Sequence, residues 1–286
     1  MSVYVHRSTR DLVTVTGADA ASYLQGQVSQ DVASLAVGDI TWSFVLAPQG
    51  KVDGWGRVQR LAEESFIIDV DPGAGTLWSS RLQRFLMRTK AEIGVETDVP
   101  MVSVRGHVDS QPEYAISAGW PGLEGYDLLT DEAAHHMTDV AEAIELDDAG
   151  FDALRIRSGV PRWGFELEEN TIPATVGQWV IDASVSFTKG CYTGQELVAR
   201  IDSRGGNVPR RLVGLELDGD APDRGAEVTI DGAAVGVVTS SAPEANGSVA
   251  LAFVNRAVDL GDAGTIDGTV GSTPARLVAV PFTGTR

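Results

Sequence analysis

Short runs of alternating apolar and polar residues dominate the first half of the chain, as in strands with one buried face. Strands are predicted at Arg10–Thr16, Thr41–Leu46, Lys51–Leu61, Ser65–Val70, Lys90–Val95, Val102–Arg105, Tyr114–Ser117 and Tyr126–Leu129. Apolar residues three and four positions apart predict helices instead. Helices are predicted around Leu24 and Val28, along Trp78, Leu82, Phe85 and Leu86, from Ala133 to Ile144, and from about Asp147 to Arg157.

The pattern changes after Gly205-Gly206, where six short strands alternate with Gly and Asp turns. These strands are predicted at Arg211–Leu217, Ala226–Ile230, Ala233–Ser240, Gly247–Val254, Gly264–Val270 and Ala275–Phe282. Six strands at this spacing favour a closed barrel. The chain is therefore predicted to have an α+β fold class, with an α+β region over residues 1–206 and a β-barrel over 207–286.

The charge of the chain is strongly acidic, with 22 Lys and Arg against 40 Asp and Glu and a net charge of -18. Such a chain repels polyanions unless a basic patch compensates. The candidate patch is small and consists of Arg200, Arg204, Arg210 and Arg211. Direct nucleic-acid binding is not expected. No apolar run approaches the roughly 20 residues of a membrane span, and no signal-peptide pattern opens the chain, so a cytoplasmic protein without membrane contact is expected.

The single cysteine, Cys191, lies in the segment Lys189-Gly190-Cys191-Tyr192-Thr193-Gly194-Gln195-Glu196. Thr193 and Glu196 fit a capping box, which predicts a helix beginning at Thr193. A neighbouring ammonium group and a helix N-terminus both favour the reactive thiolate form. Lys189 and Cys191 are therefore candidate catalytic residues.

Simpler interpretations of this segment remain open. A lone cysteine is most often a small buried apolar residue. Gly190 and Gly194 can serve a tight turn alone, and Glu196 can be a helix cap that pairs with Arg200 one turn later. Iron–sulfur clusters take about four thiolates and the histidines are scattered, so no stably bound metal is expected.

The segment from Ser186 to Arg200 resembles the K-G-C-Y-x-G-Q-E signature of the YgfZ family, with Gly190, Tyr192, Gly194, Gln195, Glu196 and Arg200 as the supporting positions. The resemblance extends to Gly17-Ala18-Asp19, to Pro48-Gln49-Gly50-Lys51 and to segments of the predicted barrel. This family is related to the glycine cleavage T-protein, an aminomethyltransferase. The resemblance implies a folate-binding domain, a ferredoxin-like domain inserted at roughly 41–145, and a C-terminal six-stranded β-barrel.

The resemblance also implies tetrahydrofolate as the cofactor, with contacts from Phe151, Arg157, Asp53 and Tyr192. Two positions depart from the T-protein pattern. Arg157 stands where the relatives have a pterin-binding Glu, and Asp53 lies one residue before the catalytic Asp position, which would turn it to the opposite strand face.

The sequence therefore leaves two candidate functions. The first is a folate-binding accessory protein for iron–sulfur cluster assembly or repair, with assembly or client proteins as partners and an indirect effect on tRNA modification enzymes. The second is a folate-dependent aminomethyl or one-carbon transferase. Whether the protein is an enzyme stays open, with the accessory role favoured. A purely structural role for the cysteine motif is the third possibility.

Overall fold

The first sheet of the protein contains eight strands. The computed structural model describes residues 2–129, 143–203, 207–261 and 264–282. The sheet strands are β1 (Tyr4–Thr16), β2 (Ile40–Leu46), β3 (Val52–Ala62), β4 (Ser65–Val70), β5 (Glu92–Arg105), β6 (Ile116–Ser117), β7 (Gly125–Leu129) and β8 (Ile144–Glu145). They are ordered β2-β3-β4-β1-β5-β7-β6, and β8 pairs in parallel with the start of β1. Each strand predicted in this part of the chain therefore overlaps an observed strand, and β1 is longer than expected.

The long central strand β1 joins the parts of this sheet. It pairs antiparallel with β5 along nearly its whole length and with β4 over its second half. The prediction of two strands in the β5 region was wrong. The pairing shifts between Arg10 and Leu12, and Asp98 takes a φ of 58° where its N–H donates to Asp11 Oδ1. This irregularity interrupts the alternation of apolar and polar residues that would otherwise mark one continuous strand.

Helices cover both faces of the sheet. They are α1 (Ala20–Gln27), α2 (Gly75–Gln83), α3 (Asp148–Arg157), α4 (Gln178–Ser184) and α5 (Gln195–Asp202). Asp147 caps α3 by accepting the Gly150 N–H, as the predicted start requires. The helix predicted from Ala133 falls almost entirely outside the described residues, and Ile144 belongs to β8. Phe85 and Leu86 lie beyond the end of α2, and Val28 lies beyond the end of α1.

The last part of the chain is a closed six-stranded barrel. Its strands are β9 (Arg210–Leu217), β10 (Glu227–Ile230), β11 (Ala233–Glu244), β12 (Gly247–Asn255), β13 (Thr265–Val270) and β14 (Thr273–Val278). The predicted barrel is confirmed. The alternation of its strands places Val213, Leu215 and Leu217 in the barrel core.

One hydrophobic core connects the sheet, the helices and the barrel. It contains Phe44 and Trp55 from the sheet, Ile156 from α3, and Leu251 and Phe253 from the barrel. β1 lies outside the predicted insertion 41–145 yet pairs with β4 and β5 inside it, so the sheet is continuous across that limit. The predicted domain limits themselves stay a prediction. Within the described residues, no helix is both long and apolar enough to span a membrane.

Candidate functional site

A cavity of about 500 Å³ lies between one face of the sheet and α3. Its aromatic lining consists of His6, Trp42, Trp55, Trp120 and Phe151. The Trp42 and Trp55 rings stack with centroids 4.0 Å apart, and the His6 and Phe151 rings stack at 4.3 Å. Ligand sites commonly have such a volume and an apolar, aromatic lining.

A series of alternating charges runs along the sheet beside this cavity, and all of its members except Asp69 line the cavity. In order of contact they are Asp71, Arg10, Asp69, Arg57, Asp127 and Arg105. Arg57 donates to Asp69 at 2.7 Å and to Asp127 at 2.6 Å, and Arg105 Nη1 lies 2.9 Å from Asp127 Oδ1. Burial opposes ionisation of Asp127, but Arg105, Arg57 and the Ser103 hydroxyl together hold the pKa of its carboxyl well below the usual range.

A second charged group connects the cavity to the barrel. Arg155 of α3 donates to Asp152 at 2.6 Å and to Glu166 at 3.3 Å. Glu166 is fully buried and also accepts the hydroxyl groups of Thr239, at 2.7 Å, and Ser240, at 2.5 Å, both from β11. The cavity wall is therefore built from sheet, helix and barrel together.

Three buried polar atoms of the cavity-lining residues have no hydrogen-bond partner among the described residues. They are Ser8 Oγ, Arg105 Nε and Arg162 Nε. Buried polar atoms in folded proteins are nearly always paired. A ligand with polar ring atoms fits a cavity whose own residues leave such groups unpaired.

The cysteine segment forms a loop near the end of β2, and its Tyr192 packs against the core cluster that contains Phe44 and Trp55. We call residues 186–194 the cysteine loop. Cys191 is exposed, and Lys189 Nζ donates to the carbonyl oxygens of Val28, at 2.8 Å, and Gln30, at 2.7 Å. Burial lowers the pKa of Lys189 to about 8, and burial raises the pKa of Tyr192 to about 12. The structure shows no hydrogen bond between Lys189 and Cys191. Lys189 therefore anchors the loop rather than pairing with the thiol.

The predicted capping box is wrong. Helix α5 begins at Gln195, with Gly194 as the residue before it at a φ of 83° and without a side-chain cap. The Gln195 side-chain oxygen instead accepts the Tyr192 N–H at 3.2 Å. Glu196 and Arg200 are both exposed and form no ion pair with each other. Thr193 takes no part in capping because the left-handed glycine separates it from the helix.

The cysteine loop packs against the turn at Pro48-Gln49-Gly50. A Cβ atom on Gly194 would lie 2.5 Å from the Ala47 oxygen, and one on Gly50 would lie 2.4 Å from Leu197 Cβ. Both glycines have positive φ angles. Two separate sequence motifs therefore meet in one close contact. Gly190 differs, because a Cβ there would have no neighbour within 4 Å.

Hydrogen bonds connect the cavity with the cysteine loop. The Trp55 indole N–H donates to Ser184 Oγ at 2.9 Å, and Ser29 Oγ donates to the Ser184 carbonyl at 2.6 Å. The Ser186 N–H then donates to the Ser29 carbonyl at 3.0 Å. Trp55 lines the cavity, and Ser186 begins the loop that carries Cys191.

Of the four residues predicted to contact folate, Phe151 alone is among those that line the cavity. Arg157 extends to the barrel, where Nε and Nη2 each donate to Glu244 at 2.6 Å, and it also pairs with Glu216. Asp53 accepts from Arg81 of α2 at 3.2 Å. Tyr192 packs on the core next to the cavity, with Lys189 over its ring at 5.1 Å. The predicted contacts of these residues with folate stay untested.

The charged cavity residues were missed by the sequence interpretation. Arg10, Arg57 and Asp127 lie on strands, where an isolated charge looks like an ordinary solvent-facing position. The sequence held one signal that Arg57 is buried: it lies on a predicted strand, and its neighbours on both sides are buried. In the described residues, no group of three or more His, Cys, Asp or Glu side chains is arranged to hold a metal ion.

The chain resembles two groups of known proteins. Residues 210–283 match the glycine cleavage T-protein C-terminal barrel domain. A tRNA-modifying protein YgfZ from Edwardsiella ictaluri is 31% identical over 222 residues, which cover 68% of this chain and 65% of that protein. The chain thus spans just under two thirds of that relative's length. An aminomethyltransferase from Streptomyces avermitilis is 25% identical, covering 94% of this chain and 83% of that protein.

A solved structure shares the fold over the full length of this chain. It is the glycine cleavage system aminomethyltransferase T from Bartonella henselae, with a TM-score of 0.76 and 19% identity. The match covers 100% of this chain and 87% of that one. The arrangement of sheet, helices and barrel is therefore the one found in that aminomethyltransferase.

Proposed function

We propose that the chain belongs with the proteins named tRNA-modifying protein YgfZ and the aminomethyltransferases that it resembles, and that it binds tetrahydrofolate in the central cavity. We propose further that it acts as an accessory protein in iron–sulfur cluster assembly or repair. The observation that carries the first part is the cavity itself. The second part rests on the family and on the exposed cysteine.

Tetrahydrofolate has a fused ring system whose pyrimidine half is planar and carries several polar atoms. The cavity offers a volume of about 500 Å³ and aromatic faces from Trp42, Trp120 and Phe151. Its unpaired polar atoms, on Ser8, Arg105 and Arg162, match a ligand that carries hydrogen-bonding groups. Planar rings stack favourably on aromatic side chains. The residues present therefore fit this ligand.

Calorimetric titration with tetrahydrofolate tests this part. We expect saturable binding by the wild-type protein. The variant Phe151→Leu should weaken it about tenfold, because it removes a stacking surface of the cavity while keeping apolar volume. Phe187→Leu is the matched control, since Phe187 lies in the cysteine loop and is 47% exposed. Absence of binding by the wild type, or equal losses in both variants, would refute the proposed site.

The geometry of the cysteine loop supports an accessory role. Cys191 is the single cysteine of the chain and is exposed, so it can reach a protein partner. One thiol supplies one of the about four ligands of a cluster. The cluster is thus cargo, held jointly with an assembly or client protein. Relatives named for tRNA modification fit an indirect role, through iron–sulfur enzymes that modify tRNA.

Replacing Cys191 tests the second part. We expect Cys191→Ser to unfold at the same temperature as the wild type, because the side chain is exposed. It should nevertheless fail to complement a strain that lacks the family member. Ser203→Cys in the Cys191→Ser background is a useful control, because it restores a thiol elsewhere on the surface. Full complementation by Cys191→Ser would remove the cysteine from the proposed function.

Aminomethyl transfer is the second candidate function. The match to an aminomethyltransferase over 94% of the chain favours it. The described cavity favours binding without turnover, because each acidic side chain that lines it has a cationic or imidazole partner. A general base needs a pKa near the working pH, whereas Asp127 has its pKa lowered. Turnover of tetrahydrofolate with an aminomethyl donor would establish the second candidate.

A further inference from the structure

Arg105 has an unusual position in the cavity wall. It ends β5, and its side chain is almost completely buried. Its guanidinium lies over the Trp120 ring at 4.2 Å and the Phe151 ring at 5.3 Å. These aromatic faces hold the plane of the guanidinium in a fixed orientation at the cavity.

The hydrogen bonds of Arg105 are unevenly distributed. Nη1 donates to the carbonyl oxygens of Val104, at 3.0 Å, and Tyr126, at 3.1 Å, and lies 2.9 Å from Asp127 Oδ1. Nε has no acceptor among the described residues. Arginine carries five N–H donors and no acceptor. The guanidinium therefore retains donor capacity at the cavity, and a group that meets it must be an acceptor.

The charges around the cavity decide which kind of acceptor fits. Five guanidiniums line it, from Arg10, Arg57, Arg105, Arg155 and Arg162. Five carboxylates pair with them, from Asp69, Asp71, Asp127, Asp152 and Glu166. The positive charges are thus already balanced. A neutral oxygen satisfies the remaining donors without bringing an unpaired charge into a buried site.

We infer that Arg105 is a specificity-determining residue, which donates to a neutral oxo group on a planar heterocycle and rejects the analogue that carries an amino group there. This inference rests on the proposed tetrahydrofolate binding. An amino group at this position would place its N–H donors against those of Arg105. The buried guanidinium would then still lack an acceptor. A site built around a hydrogen bond discriminates strongly against a ligand that cannot make it.

Two ligands that differ in this one group provide the test. Tetrahydroaminopterin has an amino group in place of the ring oxo group of tetrahydrofolate. Titrated against the wild-type protein, tetrahydrofolate should bind at least about tenfold more tightly. The variant Arg105→Gln should lose this preference, because a carboxamide both donates and accepts.

The possible results separate the two proposals. Equal or tighter binding of tetrahydroaminopterin by the wild type would overturn the role of Arg105 and leave tetrahydrofolate binding intact. Absence of binding by both ligands would overturn the proposed function itself. Retention of the full preference by a folded Arg105→Gln variant would also overturn the role of Arg105. The wild-type comparison decides the matter even where the variant fails to fold.

Discussion

Replacing Gly194 by alanine is expected to destabilise the protein by about 2–5 kcal/mol. Two causes act together. The backbone has a φ of 83°, which disfavours residues with a side chain, and the added Cβ would lie 2.5 Å from the Ala47 oxygen and 2.7 Å from Leu46 Cβ. Neither neighbour can move freely, since Leu46 is fully buried and ends strand β2. Urea unfolding measures the effect.

Gly190→Ala is the matched control for this substitution. It lies in the same motif, and a Cβ there would have no neighbour within 4 Å. Its effect on the free energy of unfolding should stay within about 0.5 kcal/mol. If the two variants were equally stable, the close packing of the cysteine loop against the Gly50 turn would be wrong.

Removing the charge of Asp127 is the second substitution that is expected to lower the free energy of unfolding strongly. Asp127→Asn keeps the shape of the side chain but leaves Arg57 and Arg105 without their shared carboxylate. Breaking a buried ion pair from one side costs about 3–5 kcal/mol, and here the charge left without a carboxylate is that of Arg105, because Arg57 keeps Asp69 at 2.7 Å. The matched control is Asp148→Asn, whose side chain is fully exposed at the same cavity. Its expected effect is below about 0.5 kcal/mol.

The pH dependence of this difference follows from the lowered pKa of Asp127. A carboxyl whose pKa is lower in the folded state contributes stability fully above its unfolded pKa, which is about 4. That contribution is lost as the pH falls through the folded value. The gap in unfolding free energy between wild type and Asp127→Asn should therefore be constant from about pH 6 to 8 and shrink below about pH 4. A gap that widened on acidification would contradict the assigned ion pairs.

The fold could be predicted from the sequence because apolar and polar residues alternate along its strands. The six barrel strands have short turns and alternating apolar positions, and each was predicted within a few residues of its place. The strand β1 was predicted to begin only at Arg10, because the preceding His6 and Ser8 are polar. These side chains line the cavity instead of facing bulk solvent, and alternation alone does not distinguish the two environments.

The candidate site could be predicted from the sequence only in part. The cysteine motif and the Gly50 turn were both singled out, but their contact depends on two left-handed glycines whose conformations the sequence does not specify. The charge network was missed because its members are far apart in the chain. Arg57 and Asp127 are 70 residues apart and meet through strand pairing. The predicted capping box at Thr193 was wrong because Gly194, in the left-handed conformation, stands between Thr193 and the first residue of the helix.

The stacked pair of Trp42 and Trp55 has an optical consequence. Two indoles with ring centroids 4.0 Å apart and planes 10° from parallel share their excitation, so their near-ultraviolet dichroism depends on keeping that arrangement. Trp55 is also tied through Ser184 and Ser29 to the loop that bears Cys191. The protein thus contains a chromophore between its cavity and its thiol, and events at either place can be followed without an added label.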